Sequence, residues 1–346
     1  MKRLLPIMIA SIFAAAAMLA AVSVQGADFT LKLHHFLGPK APAQTQMLEP
    51  WVEKVEELSK GRVKIDIYPA MSLGGKPPQL VRQVRDGVVD LIWTVNGYTT
   101  GLFPRTEVFE LPFIHTNDPV ATNLAMREMY DEYLAEEYRG MKVMFLHVHQ
   151  GQAVHMVDKL VRKPSDFAGT KIRIPTRTGA WVLEALGAAP VSMPVPNLPQ
   201  ALSKKVVDGA LIPWEIIPPL KLQDMTKYQI EGDKMTRFGT TTFQVSMNQG
   251  TWDKLPKDLQ DIFQQASNEA WVREVGEVWQ RTDLGGIGFA TKAGNEHIIL
   301  SPAEMAEFKK VLEPVVDRWI EEVNGSGIDG KGLVSKAREL VAKYSK

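Results

Sequence analysis

No cysteine occurs anywhere in the 346 residues. That absence excludes a disulfide scaffold, a lipid-anchored lipoprotein and any thiol catalysis. An excess of one charge is missing too. Lys+Arg and Asp+Glu both number 40, so no basic surplus exists to neutralise a nucleic-acid backbone. Beyond the first two dozen residues no apolar run is long enough to cross a bilayer. The sequence also lacks a G-x-S-x-G elbow, a P-loop, a G-x-G-x-x-G after a strand and an H-E-x-x-H. Acids and bases are plentiful but fall in no interpretable catalytic arrangement. Nothing calls for a cofactor or a resident metal.

What is present begins with a leader. Lys2 and Arg3 precede an apolar, alanine-rich run from Leu4 to Val24, and "VQGAD" follows. A charged start, an apolar middle and a small-residue exit predict a secretory signal peptide over 1–26, cut between Gly26 and Ala27. The alternative is an uncleaved membrane anchor, because the run nearly reaches a spanning length. Without the leader 38 Lys+Arg face 40 Asp+Glu. The remaining chain, about 320 residues with ample apolar content, is long enough for two domains. The expectation is a periplasmic monomer held by its core and not by covalent staples.

Periodicity gives the order of elements. "FTLKLHHF", "VKIDIYP", "VVDLIWTV", "KVMFLHVH", "KIRIP", "APVSMP", "ALIPW" and "TTFQVSMN" read as strands. Helical spacing covers Leu48–Leu58, with Pro50 in the first turn, then "PPQLVRQVRDG", Asp118–Arg139, "GAWVLEALG" and "LPQALSKKVVDG". One long helix is expected from Lys257 to Thr282, then two more around Pro302–Val323 and Gly332–Lys343. Strands alternating with helices predict an α/β protein with mostly parallel sheets. "VRDGVVDLIW" (Val84–Trp93) resembles "SKKVVDGALIPW" (Ser203–Trp214), about 118 residues on. Two related lobes, or a chance match of helix–turn–strand punctuation, would both give this pattern. Related lobes would place Trp93 and Trp214 at a crevice beyond the strand ends, where open α/β sheets bind ligands.

Arg173 stands out in "KIRIP". Ile172 and Ile174 share one face of the strand, and Lys171 and Arg173 share the other. Pro175 ends the strand, so a permanent cation with two parallel donors sits near its carboxyl end, where it could anchor a carboxylate. A surface arginine or an internal salt bridge is the plainer alternative. Arg177, after the strand, reads as a rim or solvent residue. Phe36, Trp93, Tyr98, Trp181 and Trp214 follow strands or lie near turns. Each alone is an ordinary core residue, but together they suit an apolar small-molecule pocket. "HVHQGQAVH" brings His147, His149 and His155 close in sequence. With no further ligand at a familiar spacing, structural or pocket-lining histidines are favoured over a metal site. His149 and Gln150 lie at the expected lobe crossing and join the ligand candidates. "SLGG" (Ser72–Gly75) reads as an ordinary flexible turn.

Taken together, "YPAMSLGG", "QLVRQVRDGVVDL", "FELPF", "DFAGTKIRIP", "GAAPVSMPVPNLPQALSKKVVDGALIP" and "SMNQGTWDKLPKDLQDIFQQAS" resemble the solute-binding proteins of tripartite ATP-independent periplasmic (TRAP) transporters, the DctP type. The likeness runs from Phe29 to Val323. It implies a periplasmic-binding-protein type II-like fold, with two α/β lobes, a ligand cleft between them, hinge strands and a long helix across both. It implies 27–149 plus 239–280 as the first lobe and 150–238 plus 281–346 as the second. The lobes would close on a small organic acid by hinge motion and hand it to integral-membrane TRAP subunits. The family's ligand arginine falls on Arg173. Trp214 and Glu215 occupy the place of a polar residue that is asparagine in the sialic-acid branch, which argues for a flatter acid, an aromatic or 2-oxo monocarboxylate. Asn197 and Phe238 complete the expected ligand set of Arg173, Trp93, Trp214, Phe36, Gln150, Tyr98, His149 and Glu215. The rival functions are an exported metal-dependent enzyme using His147, His149 and His155, and a module that binds a partner protein.

Overall fold

The computed structural model describes residues 27–345; the expected signal peptide and its cleavage site lie outside them. Eleven strands follow in chain order: β1 (Phe29–His35), β2 (Val63–Tyr68), β3 (Leu91–Val95), β4 (Met141–Val148), β5 (Ala153–Met156), β6 (Lys171–Ile174), β7 (Ala189–Ser192), β8 (Gly209–Ile212), β9 (Tyr228–Gly232), β10 (Thr242–Asn248) and β11 (Glu296–Leu300). They form two sheets, ordered β2-β1-β3-β10-β4 and β11-β9-β5-β8-β6-β7. Both sheets are mixed and not mostly parallel: β10 runs antiparallel to β3 and β4, and β5 runs antiparallel to β8 and β9. Three expected patterns missed strands, since β5, β9 and β11 are short and lack clear alternation.

Read from its β7 end, the second sheet repeats the first. β7, β6 and β8 run parallel as β2, β1 and β3 do, and each trio is followed by two antiparallel pairings. The Val-Val-Asp match has the same physical content in both copies. Val89 and Val207 are buried while Val88 and Val206 stay exposed. The Asp90 carboxylate accepts the Lys32 amide of β1 at 2.9 Å, and Asp208 accepts the Lys171 amide of β6 at 2.8 Å. Each aspartate thus satisfies a backbone donor of the neighbouring strand. The two lobes are structural repeats.

The central strands are branched and apolar because both faces are covered by helices. β3 and β8 are buried along their whole length. Two helical expectations need correction. The run Asp118–Arg139 is a helix only over Pro119–Met129, after which a wider turn and a 3₁₀ turn follow. The run Lys257–Thr282 is two helices, Lys257–Ala266 and Glu269–Lys292. The break falls at Ser267–Asn268, where the Asn268 side chain accepts from the Trp271 amide and caps the second helix.

Four residues, 149–152, carry the chain from the first sheet to the second, and 233–241 carry it back. The helix Glu269–Lys292 spans both lobes: it packs against Pro119–Met129 and β4 on one side and against Trp214–Ile216 on the other. Helix Pro302–Asn324 packs on the second lobe. The last helix, Gly330–Tyr344, packs on Pro119–Met129, although the division read from the sequence assigned it to the second lobe. Among the described residues no helix is long and apolar enough to cross a membrane.

Candidate functional site

The carboxyl ends of β1, β3, β6 and β8 point to one crevice between the sheets. β10 runs the opposite way, so its amino end reaches the same place. The crevice is lined by Phe36, Trp93, Tyr98, Arg173, Glu215 and Phe243, an apolar wall with a few fixed polar groups, as small-molecule sites have. A larger groove lies beside β4, along Lys142–Leu146. No buried side-chain atom in that groove lacks a hydrogen-bond partner, whereas four in the crevice do. The crevice is therefore the better candidate.

One wall is aromatic. Trp93 stacks on Phe36 with centroids 4.8 Å apart and on Phe243 at 5.4 Å. His147 stacks on Phe243 at 4.8 Å and on Trp279 at 5.3 Å, and those two rings lie 6.2 Å from each other. Tyr98 meets Phe36 edge-on. The Trp93 indole N–H donates to His147 Nε2 at 2.8 Å, and His147 Nδ1 lies 3.2 Å from the Val148 carbonyl. Those two partners fix a neutral imidazole with its proton on Nδ1. Burial holds its pKa down at about 3.

Arg173 supplies the opposing charge. It lies in β6 with both flanking isoleucines buried. Its Nε donates to the Met193 carbonyl at 3.0 Å and its Nη1 to the Leu211 carbonyl at 3.4 Å. Its Nη2 is buried with no partner. Burial lowers its pKa, against the opposing effect of the charge on, and a hydrogen bond to, the Tyr98 hydroxyl. The Tyr98 hydroxyl in turn accepts the Val195 amide at 2.9 Å. A buried guanidinium with one face unpaired is costly by several kcal/mol unless an anion meets it.

Of the residues singled out from the sequence, Phe36, Trp93, Tyr98, His149, Arg173 and Glu215 line this cavity. Trp214 does not. It is fully buried behind Glu215, edge-on to His155 and His297, and its indole donates to Glu231 at 3.2 Å. The turn after Pro213 directs Glu215 and not Trp214 to the cavity. Gln150 is also off the cavity; its side-chain amide donates to the Asn117 carbonyl at 2.6 Å. Asn197 is exposed at the end of the 3₁₀ turn Val195–Asn197. Phe238 packs on Phe308 at 5.2 Å. Phe243, Trp279, Gln152 and Thr241 were missed. Phe243 was hidden because no sequence signal shows that β10 runs backwards, and Gln152 because it precedes a strand with no clear pattern, whereas Trp279 lies in the long helix expected across both lobes and could have been named from it.

Nor do the three histidines converge. His155 lies 2.5 Å from Gln229 Oε1 and 3.1 Å from the Ile212 carbonyl. His149 accepts the Gly151 amide at 3.0 Å. Among the described residues no group of His, Asp and Glu could hold a metal ion.

Arg177 is not a solvent residue. From the second lobe it clasps Glu107 of the first, with donor–acceptor distances of 2.7–3.0 Å. It also reaches Glu322 at 3.3 Å. Thr178 donates to Glu110 at 2.9 Å, and Gly97 lies tight against Thr176. These contacts, with Tyr98–Val195, join the lobes over the cavity, so the structure is closed.

Behind the cavity, the fully buried Arg237 pairs with Asp283 of the long helix at 2.7 Å and with Glu231 at 2.6 Å. Asp283 also accepts the Trp214 amide at 2.9 Å. The return connection, the second lobe and the crossing helix are thereby tied at one point.

Comparison with known proteins agrees with this geometry. The model of the family described as "Bacterial extracellular solute-binding protein, family 7" (DctP) matches residues 33–322. A TRAP solute-binding protein from Rhodoferax ferrireducens T118, solved with copurified benzoate, is 40% identical with a TM-score of 0.89; the match covers 91% of this chain and 98% of that one. A marine metagenome TRAP solute-binding protein specific for aromatic acid ligands, from an unidentified microbe and solved with 3-hydroxybenzoate, is also 40% identical at 0.89, covering 92% and 99%. The C4-dicarboxylate-binding periplasmic protein DctP of Rhodobacter capsulatus is 24% identical over 303 residues, 86% of this chain and 88% of its own.

Proposed function

The chain belongs to the DctP family of bacterial extracellular solute-binding proteins, those of TRAP transporters, and on that premise we propose that its cargo is an aromatic monocarboxylate anchored by Arg173. The observation that carries this is a buried arginine with an unpartnered Nη2 lining the same cavity as a set of stacked rings. Carboxylate and guanidinium match in shape and charge, and the flat wall suits a flat ligand. The benzoate and 3-hydroxybenzoate held by the two 40%-identical relatives support the same class.

The energetics link binding to closure. Closing the empty lobes buries a bare cation. An anion removes that penalty only in the closed state, so it shifts the population towards closure. The closed form is what the membrane subunits receive. The protein catalyses nothing, in keeping with a family of solute-binding proteins. It acts in the periplasm as a monomer after cleavage between Gly26 and Ala27. The lobe boundaries follow the sheets, at 149–152 and 233–241.

The test is a thermal-shift screen of the mature protein with benzoate, a 2-oxo acid such as pyruvate, and glucuronate. A ligand at a hundred times its dissociation constant adds about 2.7 kcal/mol of stability. Benzoate should raise the melting temperature and glucuronate should not. Arg173→Met, which keeps volume without charge, should fold and lose the response. Equal response in that variant, or a response to the sugar acid alone, overturns the assignment.

A further inference from the structure

Four residues that line the cavity each bury a side-chain atom that has no partner among the described residues: Arg173 Nη2, Trp279 Nε1, Glu215 Oε2 and Gln152 Oε1. They are not interchangeable. The first two only donate, and a carboxylate answers both because it only accepts. The Gln152 oxygen only accepts. Its orientation is fixed, because its amide nitrogen donates to the Thr240 carbonyl at 3.2 Å and to the Thr241 hydroxyl at 2.9 Å. The Glu215 carboxyl accepts when ionised, and also donates when protonated. Benzoate offers no donor, so it would leave the Gln152 oxygen unanswered in a closed, desolvated site.

Resting on the aromatic-acid reading above, we propose that the cargo carries a hydroxyl besides its carboxylate, read by Glu215 together with Gln152. A hydroxyl donates one hydrogen and accepts one or two, so it satisfies Glu215 in either protonation state and the amide oxygen as well. Glu215 is well placed for this. It is the first residue past Trp214 after β8 ends, and it is only 6% exposed. Trp214 behind it is pinned through both its amide and its indole, to Asp283 and Glu231, so the turn that presents Glu215 is rigid. Desolvation raises the Glu215 pKa well above the carboxylate norm, which disfavours a second anionic group there and suits a neutral hydroxyl.

The experiment is isothermal titration of the wild-type mature protein with benzoate, its three ring-hydroxylated isomers, mandelate and phenylacetate. At least one hydroxylated acid should bind about tenfold or more tightly than its hydroxyl-free counterpart, the scale of one well-made hydrogen bond to a charged or buried group. In Glu215→Ala that ratio should collapse towards one, and in Glu215→Gln, which keeps a donor and an acceptor in place, it should survive in part. Benzoate binding as tightly as every hydroxylated acid overturns this inference and leaves the aromatic-acid reading standing. A ratio unchanged in Glu215→Ala overturns it as well. Failure of all six acids to bind overturns the reading beneath it. The wild-type comparison stands even if a variant does not fold.

Discussion

His147 shows how much one side chain can settle. It is fully buried, stacked on Phe243 and on Trp279, and it accepts from Trp93. Burial holds its pKa at about 3, and those of His35, His115 and His155 at about 4. The unfolded chain takes up each proton near 6.5. These groups therefore contribute stability above that pH and lose it as pH falls towards 4, because only the unfolded state binds the protons. Glu110 and Glu137 act in the opposite sense: burial raises both to about 7, so their contribution is present below 4.5 and is lost as pH rises to 7. His147→Phe keeps the stack but leaves the Trp93 N–H unpaired. Urea unfolding at pH 7.5 should show a loss of about 1–3 kcal/mol. Between pH 6.5 and 4 the variant's stability should fall less steeply than the wild type's. Arg173 was legible from sequence because strand alternation and a terminal proline fix where it stands. Trp214 was misplaced for want of a turn geometry: "ALIPWEI" does not say which of two neighbours faces inward.

At the level of elements, the two connections between the sheets are the working parts. Each contains one glycine with a backbone conformation that side chains rarely adopt: Gly151 at φ +122 and Gly239 at φ +117. They lie side by side, since the Gln152 amide donates to the Gly239 carbonyl at 2.8 Å. A Cβ at Gly151 would strike Arg237 Cβ and Cγ at 2.7 and 2.6 Å. Gly151→Ala should therefore cost about 1–3 kcal/mol in urea unfolding. It should also weaken ligand binding, by displacing Arg237 and the adjoining Gln152. Gly38→Ala, with open space and no unusual φ, should stay within about 0.5 kcal/mol. The sequence showed most helices and strands because their periods are strong. It hid β5, β9 and β11, which are four or five residues long and are held by neighbours more than by their own pattern. The break at Ser267–Asn268 was hidden too, since the apolar spacing runs through it and only the asparagine cap marks it.

For the molecule as a whole, the closed state is held by a few polar contacts across the mouth. Arg177–Glu107 is the strongest candidate, a clasp between side chains that are 19% and 6% exposed. Partial exposure discounts its worth, and about 1 kcal/mol is a reasonable scale. Arg177→Ala and Glu107→Gln should each speed ligand release in stopped-flow by several-fold. In the double variant the effects should not add, since they remove one interaction. Fully additive effects would mean the clasp is not a unit. The two-lobed design was legible from the repeated Val-Val-Asp, whose aspartates cap equivalent strands. The clasp was not legible, because Arg177 and Glu107 are seventy positions apart and meet only when the lobes shut.

The place of β10 between β3 and β4 sets the order in which the polypeptide can assemble. Among the described residues β4 has no other strand partner, and β10 is separated from it by almost the entire second sheet in sequence. Any truncation before Thr242 leaves a one-strand gap between β3 and β4. A nascent chain arriving amino end first cannot finish its first half until most of the other half has appeared. Neither half can be excised as a stand-alone fragment by a single cut. Two complementary fragments mixed after synthesis, one ending before β10 and one beginning with it, would have to find each other for either lobe to become whole.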